Sequence, residues 1–202
     1  MDFNTASELP FASPLDGERE VQIPGALVLR DLTPSLGVWH LRDPEAQAAV
    51  QRFGASGFER GAHSEIGQAR SIGSGVLCRL AADEFLLLIA SPDNWDSLRA
   101  RLAGAADGLR ASASDLTHAY GVLGLSGPLS AEALPRLCGL DFSETGFPDG
   151  RVAQTSLVKV QAAVVRVDTQ PGRSPGFYLL VDRSLAAYVW EVIKQVIKEV
   201  KP

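Results

Sequence analysis

Apolar side chains along this chain alternate between two spacings, one fitting strands and the other helices. Leu27-Val-Leu29 and Gly37-Val-Trp-His-Leu41 are short apolar runs that predict strands, with Trp39 and Leu41 facing away from Val38 and His40. Asp43-Pro44 predicts a helix start, with Asp as cap and Pro in the first turn. Ala46, Ala49, Val50 and Phe53 follow at helical spacing, and Gly54 ends the pattern. Residues 55–75 show no apolar period and predict a long loop. Val76–Leu80 and Glu84–Ile89 then predict an antiparallel hairpin, the second run being continuous enough to be covered on both faces. Ser91-Pro92 predicts another helix start, with Trp95, Leu98 and Leu102 inward.

The second half follows the same plan. Tyr120–Leu125 predicts a strand, and Ser126-Gly-Pro128 leads into a helix ending at Cys138-Gly139, with Pro135 kinking it or delaying its start. Leu157–Val167 predicts one strand with Val158, Val160, Ala162 and Val164 on one face and Lys159 and Gln161 on the other. After a Pro- and Gly-rich turn, Phe177–Val181 is the counterpart of Phe85–Ile89. Ser184 is the expected cap of a last helix with the stripe Leu185, Val189, Val192, Val196 and Val200.

A direct repeat underlies this. Shifted by 84 positions, residues 31–52 match residues 115–136 without a gap at nine of 22 positions. The matches are Asp31/Asp115, Leu32/Leu116, Thr33/Thr117, Gly37/Gly121, Val38/Val122, Leu41/Leu125, Pro44/Pro128, Ala49/Ala133 and Arg52/Arg136. Two copies at this period imply two similar supersecondary units rather than a solenoid. Neither unit alone could bury its helices and sheet edges. The expected fold is therefore one α+β domain over 26–202, duplicated as halves 26–108 and 109–202 about a pseudo-two-fold axis, after an extended arm over 1–25.

Composition narrows the function more than it names it. A net charge of −5, with no basic cluster beyond Lys194, Lys198 and Lys201 on one predicted helix, argues against a nucleic-acid partner. Cys78 and Cys138 lie far apart and outside any metal-like pattern, so buried thiols in a reducing cytoplasm are expected, with no metal. The start lacks a secretory pattern and no apolar run is long enough to span a membrane, so the expectation is a cytoplasmic chain without a membrane partner. Ser126 lies one residue short of a nucleophile elbow and better suits a helix start. His40, His63 and His118 share no ligand spacing, and Asp31 and Asp115 read as residues that close turns through their side chains.

Several blocks, in order, resemble the gamma subunit of heterotetrameric sarcosine oxidases. They are Ala82-Asp-Glu-Phe-Leu-Leu-Leu88, Asp115-Leu-Thr117, Leu125-Ser-Gly-Pro128, Leu137-Cys-Gly-Leu-Asp-Phe142, Phe147-Pro-Asp-Gly150, Ala153-Gln-Thr155 and the run from Val181 to Trp190. Gamma subunits are in turn similar to the folate-binding domain of glycine-cleavage aminomethyltransferases, whose α+β fold is internally duplicated.

The resemblance implies a noncatalytic structural subunit of an amine-oxidising flavoenzyme complex, docked on a large, alpha-type subunit. It also implies that flavin, NAD and tetrahydrofolate belong to the other subunits. Aminomethyltransferases place carboxylates in two segments that here read Ser71–Leu80 and Gly172–Tyr178, with Cys78, Arg79, Ser174 and Tyr178 where the acids would stand. None of these can serve as a poised carboxylate. No catalytic, cofactor-binding or metal residue is therefore expected in this chain. The alternative is a free-standing tetrahydrofolate-binding protein or aminomethyltransferase-like enzyme, its Gly-rich 54–75 loop lining a central pocket.

Overall fold

A computed structural model describes residues 12–53, 65–73, 75–90, 95–168 and 174–200. Among these are eleven strands and four α-helices. The strands are β1 (Glu20–Ile23), β2 (Leu27–Asp31), β3 (Leu36–Arg42), β4 (Ala69–Ile72), β5 (Gly75–Ala81), β6 (Glu84–Ala90), β7 (Ser112–Asp115), β8 (Tyr120–Ser126), β9 (Arg151–Leu157), β10 (Val160–Arg166) and β11 (Gly176–Asp182). The helices are α1 (Ala46–Phe53), α2 (Trp95–Ala106), α3 (Ser130–Ala133) and α4 (Ala186–Glu199).

Two antiparallel sheets form, one in the order β1-β2-β8-β11-β10-β9 and the other β4-β5-β6-β3-β7. Alternation along the central strands sends side chains to different layers. Val38, Cys78, Leu86, Leu88, Val122, Val165, Tyr178 and Leu180 meet between the sheets. Trp39, Leu41, Phe85 and Leu87 pack instead with Ala49, Leu98 and Leu102 of α1 and α2. Leu123, Leu125, Phe177 and Leu179 pack under α3 and α4, with Leu134, Trp190 and Ile193. Of the Phe85–Ile89 run expected to be covered on both faces, Phe85–Leu88 are buried and Ile89 is half-buried, and its counterpart Phe177–Val181 is buried throughout.

The repeated Asp-Leu-Thr segments reciprocally extend a strand pairing in each sheet, tying one half of the chain to the other. Thr33 Oγ1 accepts the Val122 N–H at 3.0 Å, and the Leu32 N–H donates to the Val122 carbonyl at 2.8 Å. In the other direction, Thr117 Oγ1 accepts the Val38 N–H at 3.1 Å, and the Leu116 N–H donates to the Val38 carbonyl at 2.8 Å. Each Asp closes its own turn, Asp31 Oδ1 accepting from the Thr33 N–H and Asp115 Oδ1 from the Thr117 N–H, both at 3.0 Å. Strand pairing crosses in the same way: β2 joins β8 with Asp31 opposite Leu123, and β7 joins β3 with Asp115 opposite Trp39. The repeated glycines leave room for helices. A Cβ on Gly37 would meet the Trp95 ring of α2 at 2.0 Å, and one on Gly121 would meet Ala186 Cβ of α4 at 2.4 Å.

Several local expectations change. Leu157–Val167 is not one strand: Leu157 ends β9, Val158 and Lys159 (φ 45° and 67°) form a two-residue hairpin turn, and β10 follows from Val160. Such a turn usually carries Gly or Asn, so apolar alternation reads straight through it. Here the Val158 N–H is held by the Leu137 carbonyl at 2.8 Å. Asp43 does not cap α1: it sits at φ 86°, its carboxylate accepts from Ser112, and the helix starts at Ala46. Asp182, rather than Ser184, terminates the approach to α4 by accepting the Ser184 N–H at 2.8 Å.

The buried stripe of α4 is Ala186, Val189, Trp190, Ile193 and Ile197, while Leu185 is exposed and Val192 and Val196 are half-buried. Ala186, at the start of this stripe, is the residue that lies against Gly121. The third helix is α-helical only over Ser130–Ala133 and continues as a 3-10 turn (Leu134–Arg136) that contains Pro135, so the proline changes the helix type in place of kinking it or delaying its start. Ala69–Ile72, within the expected loop, adds an edge strand to β5. Within the stretch read as an arm, β1 pairs with β2 and Leu15 is buried in the chain's own core. Phe3, Phe11, Gly54, His63 and the Ser91-Pro92 helix start lie outside the described residues.

Replacing Thr33 or Thr117 by Val leaves a buried strand N–H without its acceptor. Each substitution is expected to cost about 1–3 kcal/mol in urea unfolding. Acid titration supplies a second check. Burial pushes the Asp115 carboxyl up, but bonds from the Thr117 hydroxyl and N–H and from Arg99 outweigh it and hold it below the ordinary 3.8. A carboxyl depressed in the folded state stabilises above its unfolded value and loses that contribution as pH falls through the folded one. The urea midpoint should therefore fall below about pH 4, and Asp115→Asn should show a shallower fall over that window.

Candidate functional site

Of the described residues singled out from the sequence as candidates for chemistry, only Cys78 and Tyr178 come together in the layer between the sheets. Cys78 on β5 pairs with Ala69 and Leu86, and Tyr178 on β11 pairs with Val165 and Gly124. Both are buried among apolar side chains. Burial pushes the Cys78 thiol strongly up, and burial followed by the neighbouring Cys78 pushes the Tyr178 phenol up to about 12. Both therefore stay protonated at neutral pH.

Arg79 lies elsewhere, donating to the Ala82 carbonyl at 2.9 Å with its guanidinium 5.4 Å from the Phe85 ring centroid. Ser126 ends β8 opposite Val28 and Gly176, and no histidine is bonded to it among the described residues. His40 Nε2 is 2.8 Å from Glu84 Oε1, and His118 is exposed. Cys138 is half-buried, its thiol raised by burial against a bond from Leu140. Ser174 is half-buried just before β11. The residues present supply no carboxylate at the Cys78–Tyr178 position, so the acid–base chemistry of tetrahydrofolate does not fit there. Among the described residues no group of three or more His, Cys, Asp or Glu side chains could hold a metal ion, and no helix is long and apolar enough to cross a membrane.

Sequence patterning did not reveal the cleft at one end of the same layer. It measures about 540 Å³ and is lined by residues of β5, β6, β8, β9, β10 and β11 and of the turn before β8. Strand register explains its polar wall. Ser156 lies opposite Gln161, and Asp182 lies opposite Tyr120. The Ala162–Val181 pairing places Gln161 beside Asp182, so one row crosses β9, β10, β11 and β8. The next row is Gln154, Ala163, Leu180 and Val122, where small Ala163 leaves space. Leu80, Leu86 and Leu116 form the apolar side. Burial, then the negative charges of Glu84 and Asp182, raises the Tyr120 phenol. The Ser184 hydroxyl and N–H hold the Asp182 carboxyl low. Polar Gln154, Ser156 and Gln161 on alternating positions were the available signal, but it is visible only once the hairpin turn at Val158-Lys159 is placed.

Residues 67–201 match the GCVT N-terminal domain family. The chain belongs to that family. Its fold is shared by a chain of the heterotetrameric sarcosine oxidase from Corynebacterium sp. U-96, solved in complex with pyrrole 2-carboxylate, at a TM-score of 0.73 and 24% identity over 89% of this chain and 88% of that one. The glycine cleavage system aminomethyltransferase T from Bartonella henselae superposes at a TM-score of 0.64 and 20% identity, over 82% of this chain. The family member described here spans 44% of that aminomethyltransferase chain. No curated protein matches the sequence closely enough to count as a relative. An aminomethyltransferase-like fold, expected from the short sequence blocks, is thus established by both family and shape.

Thiol labelling checks the electrostatics. In the native family member, iodoacetamide should modify Cys138 while Cys78 reacts only after denaturation. Rapid native labelling of Cys78 would contradict the closed, apolar layer.

Proposed function

We propose that this family member is a noncatalytic, gamma-type structural subunit of a sarcosine oxidase-like flavoenzyme complex in the cytoplasm. The observation carrying this reading is the Cys78–Tyr178 layer: where the family's acids are expected, two protonated groups are packed among apolar side chains. Such a layer holds a fold together and offers no base for proton transfer at neutral pH. In this reading the chain docks on a large, alpha-type subunit, and flavin, NAD and tetrahydrofolate reside on partner subunits. The chain is internally duplicated, with halves 26–108 and 109–202 related by a pseudo-two-fold axis, and the stretch before them contributes edge strand β1 to the six-stranded sheet. The reciprocal Thr33–Val122 and Thr117–Val38 bonds, between positions 84 apart in the repeat, support that duplication.

Affinity purification of the tagged chain from its native cells tests the subunit role. The expected result is co-elution with a larger flavin-containing protein, seen by its visible absorbance. A stable, folded chain that elutes alone would overturn the reading.

The cleft of about 540 Å³ favours a second reading, a free-standing tetrahydrofolate-binding protein. Calorimetric titration of the purified chain with tetrahydrofolate separates the two. The subunit reading expects no saturable heat, whereas one-to-one binding in the micromolar range favours the second.

A further inference from the structure

We propose that the cleft at the end of the intersheet layer is a binding site for a small organic cation, an ammonium or amidinium group carried on a short apolar body. This inference concerns the isolated chain and does not rest on the subunit role.

Three features of the cleft converge on that chemistry. The first is an unusual row of side chains. On strands β8 to β11 the neighbouring inner-face row is apolar or small, Val152, Val165, Tyr178 and Gly124, with only the Tyr178 hydroxyl polar, and polar residues return at the far edge, where Arg30 pairs with Glu20. At the cleft the row becomes Ser156, Gln161, Asp182 and Tyr120, followed by Gln154 in the next row. Among the described residues, no hydrogen bond engages the side chains of Gln154, Ser156 or Gln161. All three are exposed, so their donors and acceptors stand solvated and accessible along one side of a concave site of about 540 Å³, within the size range of small-molecule pockets.

The second feature is the sign of the charge. No Lys or Arg lines the cleft, whereas Asp182 does. The Ser184 N–H and hydroxyl both donate to Asp182 Oδ1, so neither bond uses Oδ2. Glu84 adds a second carboxylate close enough to act on Tyr120, although it also pairs with His40. An anionic ligand would meet the Asp182 carboxylate with no Lys or Arg among the lining residues to offset it, whereas a cationic one would gain a charge-assisted hydrogen bond.

The third feature is the shape of the contact available to such a ligand. Tyr120 offers an aromatic ring beside the Asp182 carboxylate, suited to a cation's charge. Leu80, Leu86 and Leu116 complete an apolar wall for the body of the ligand.

Isothermal titration of the full chain with benzamidine, benzylammonium, benzyl alcohol and benzoate reads this directly. The expected result is saturable one-to-one binding of benzamidine or benzylammonium, at least tenfold tighter than benzyl alcohol, with no binding of benzoate. Asp182→Asn keeps the acceptor for Ser184 and should weaken the cations at least tenfold. Ala163→Leu, which fills the floor of the cleft, should abolish binding and serves as the decisive variant if Asp182→Asn does not fold. Benzoate binding as tightly as the cations would overturn the proposal. So would absence of cation binding, or cation affinity unchanged in folded Asp182→Asn or Ala163→Leu protein. Failure of the chain to co-purify with a flavoprotein would leave each of these outcomes readable.

Discussion

Two threonine hydroxyls, one at an end of a strand pairing in each sheet, hold the two halves of this chain in register. Thr33 and Thr117 each accept a backbone N–H from a strand in the other half of the chain, Val122 and Val38. Each such bond contributes about 1 kcal/mol net, which is modest beside the apolar burial around it. Its larger effect is geometric. Val38 and Val122 are fully buried central-strand residues whose side chains face the layer between the sheets. Fixing their backbone fixes which face of β3 and β8 points inward, and a one-residue slip would reverse every side chain on those strands. The aspartates at the head of each segment make the turns that bring the threonines to bear.

From that register the rest of the molecule follows. Gly37 and Gly121 directly precede these valines, and the absence of a side chain there lets Trp95 of α2 and Ala186 of α4 lie against the sheets. The helices cover the outer faces, and the inner faces are left to meet each other. Most of that inner layer closes with apolar contacts, including the Cys78–Tyr178 pair. It remains unfilled where the row Ser156, Gln161, Asp182 and Tyr120 stands and where Ala163 is too small to reach across. The closed and unfilled parts of one layer thus have different chemistry, one too apolar for charge and the other carrying it.

Much of the fold was legible from the residues. The buried runs Phe85–Leu88 and Phe177–Val181, the first hairpin and the repeat reported by Asp-Leu-Thr all express short-range patterns that survive packing. Local chemistry was less reliable where another contact competed for the same group. Asp43 gave its carboxylate to Ser112 instead of the helix, and Asp182 displaced Ser184 at the approach to α4. Val158 and Lys159 turned the chain without the residue types that advertise a turn, because the Leu137 carbonyl and the flanking strand pairing hold them there.

By itself, the sequence determined most of the strand and helix segments that carry the core, and the repeat, since each depends on residue type and spacing alone. Only the tertiary structure decided that each half donates its first paired strand to the other's sheet, which no local pattern encodes. It alone also assembled the cleft. Gln154, Ser156, Gln161, Asp182 and Tyr120 come from four strands and up to 62 positions apart, and only the hydrogen-bonded register of a sheet sets such residues side by side.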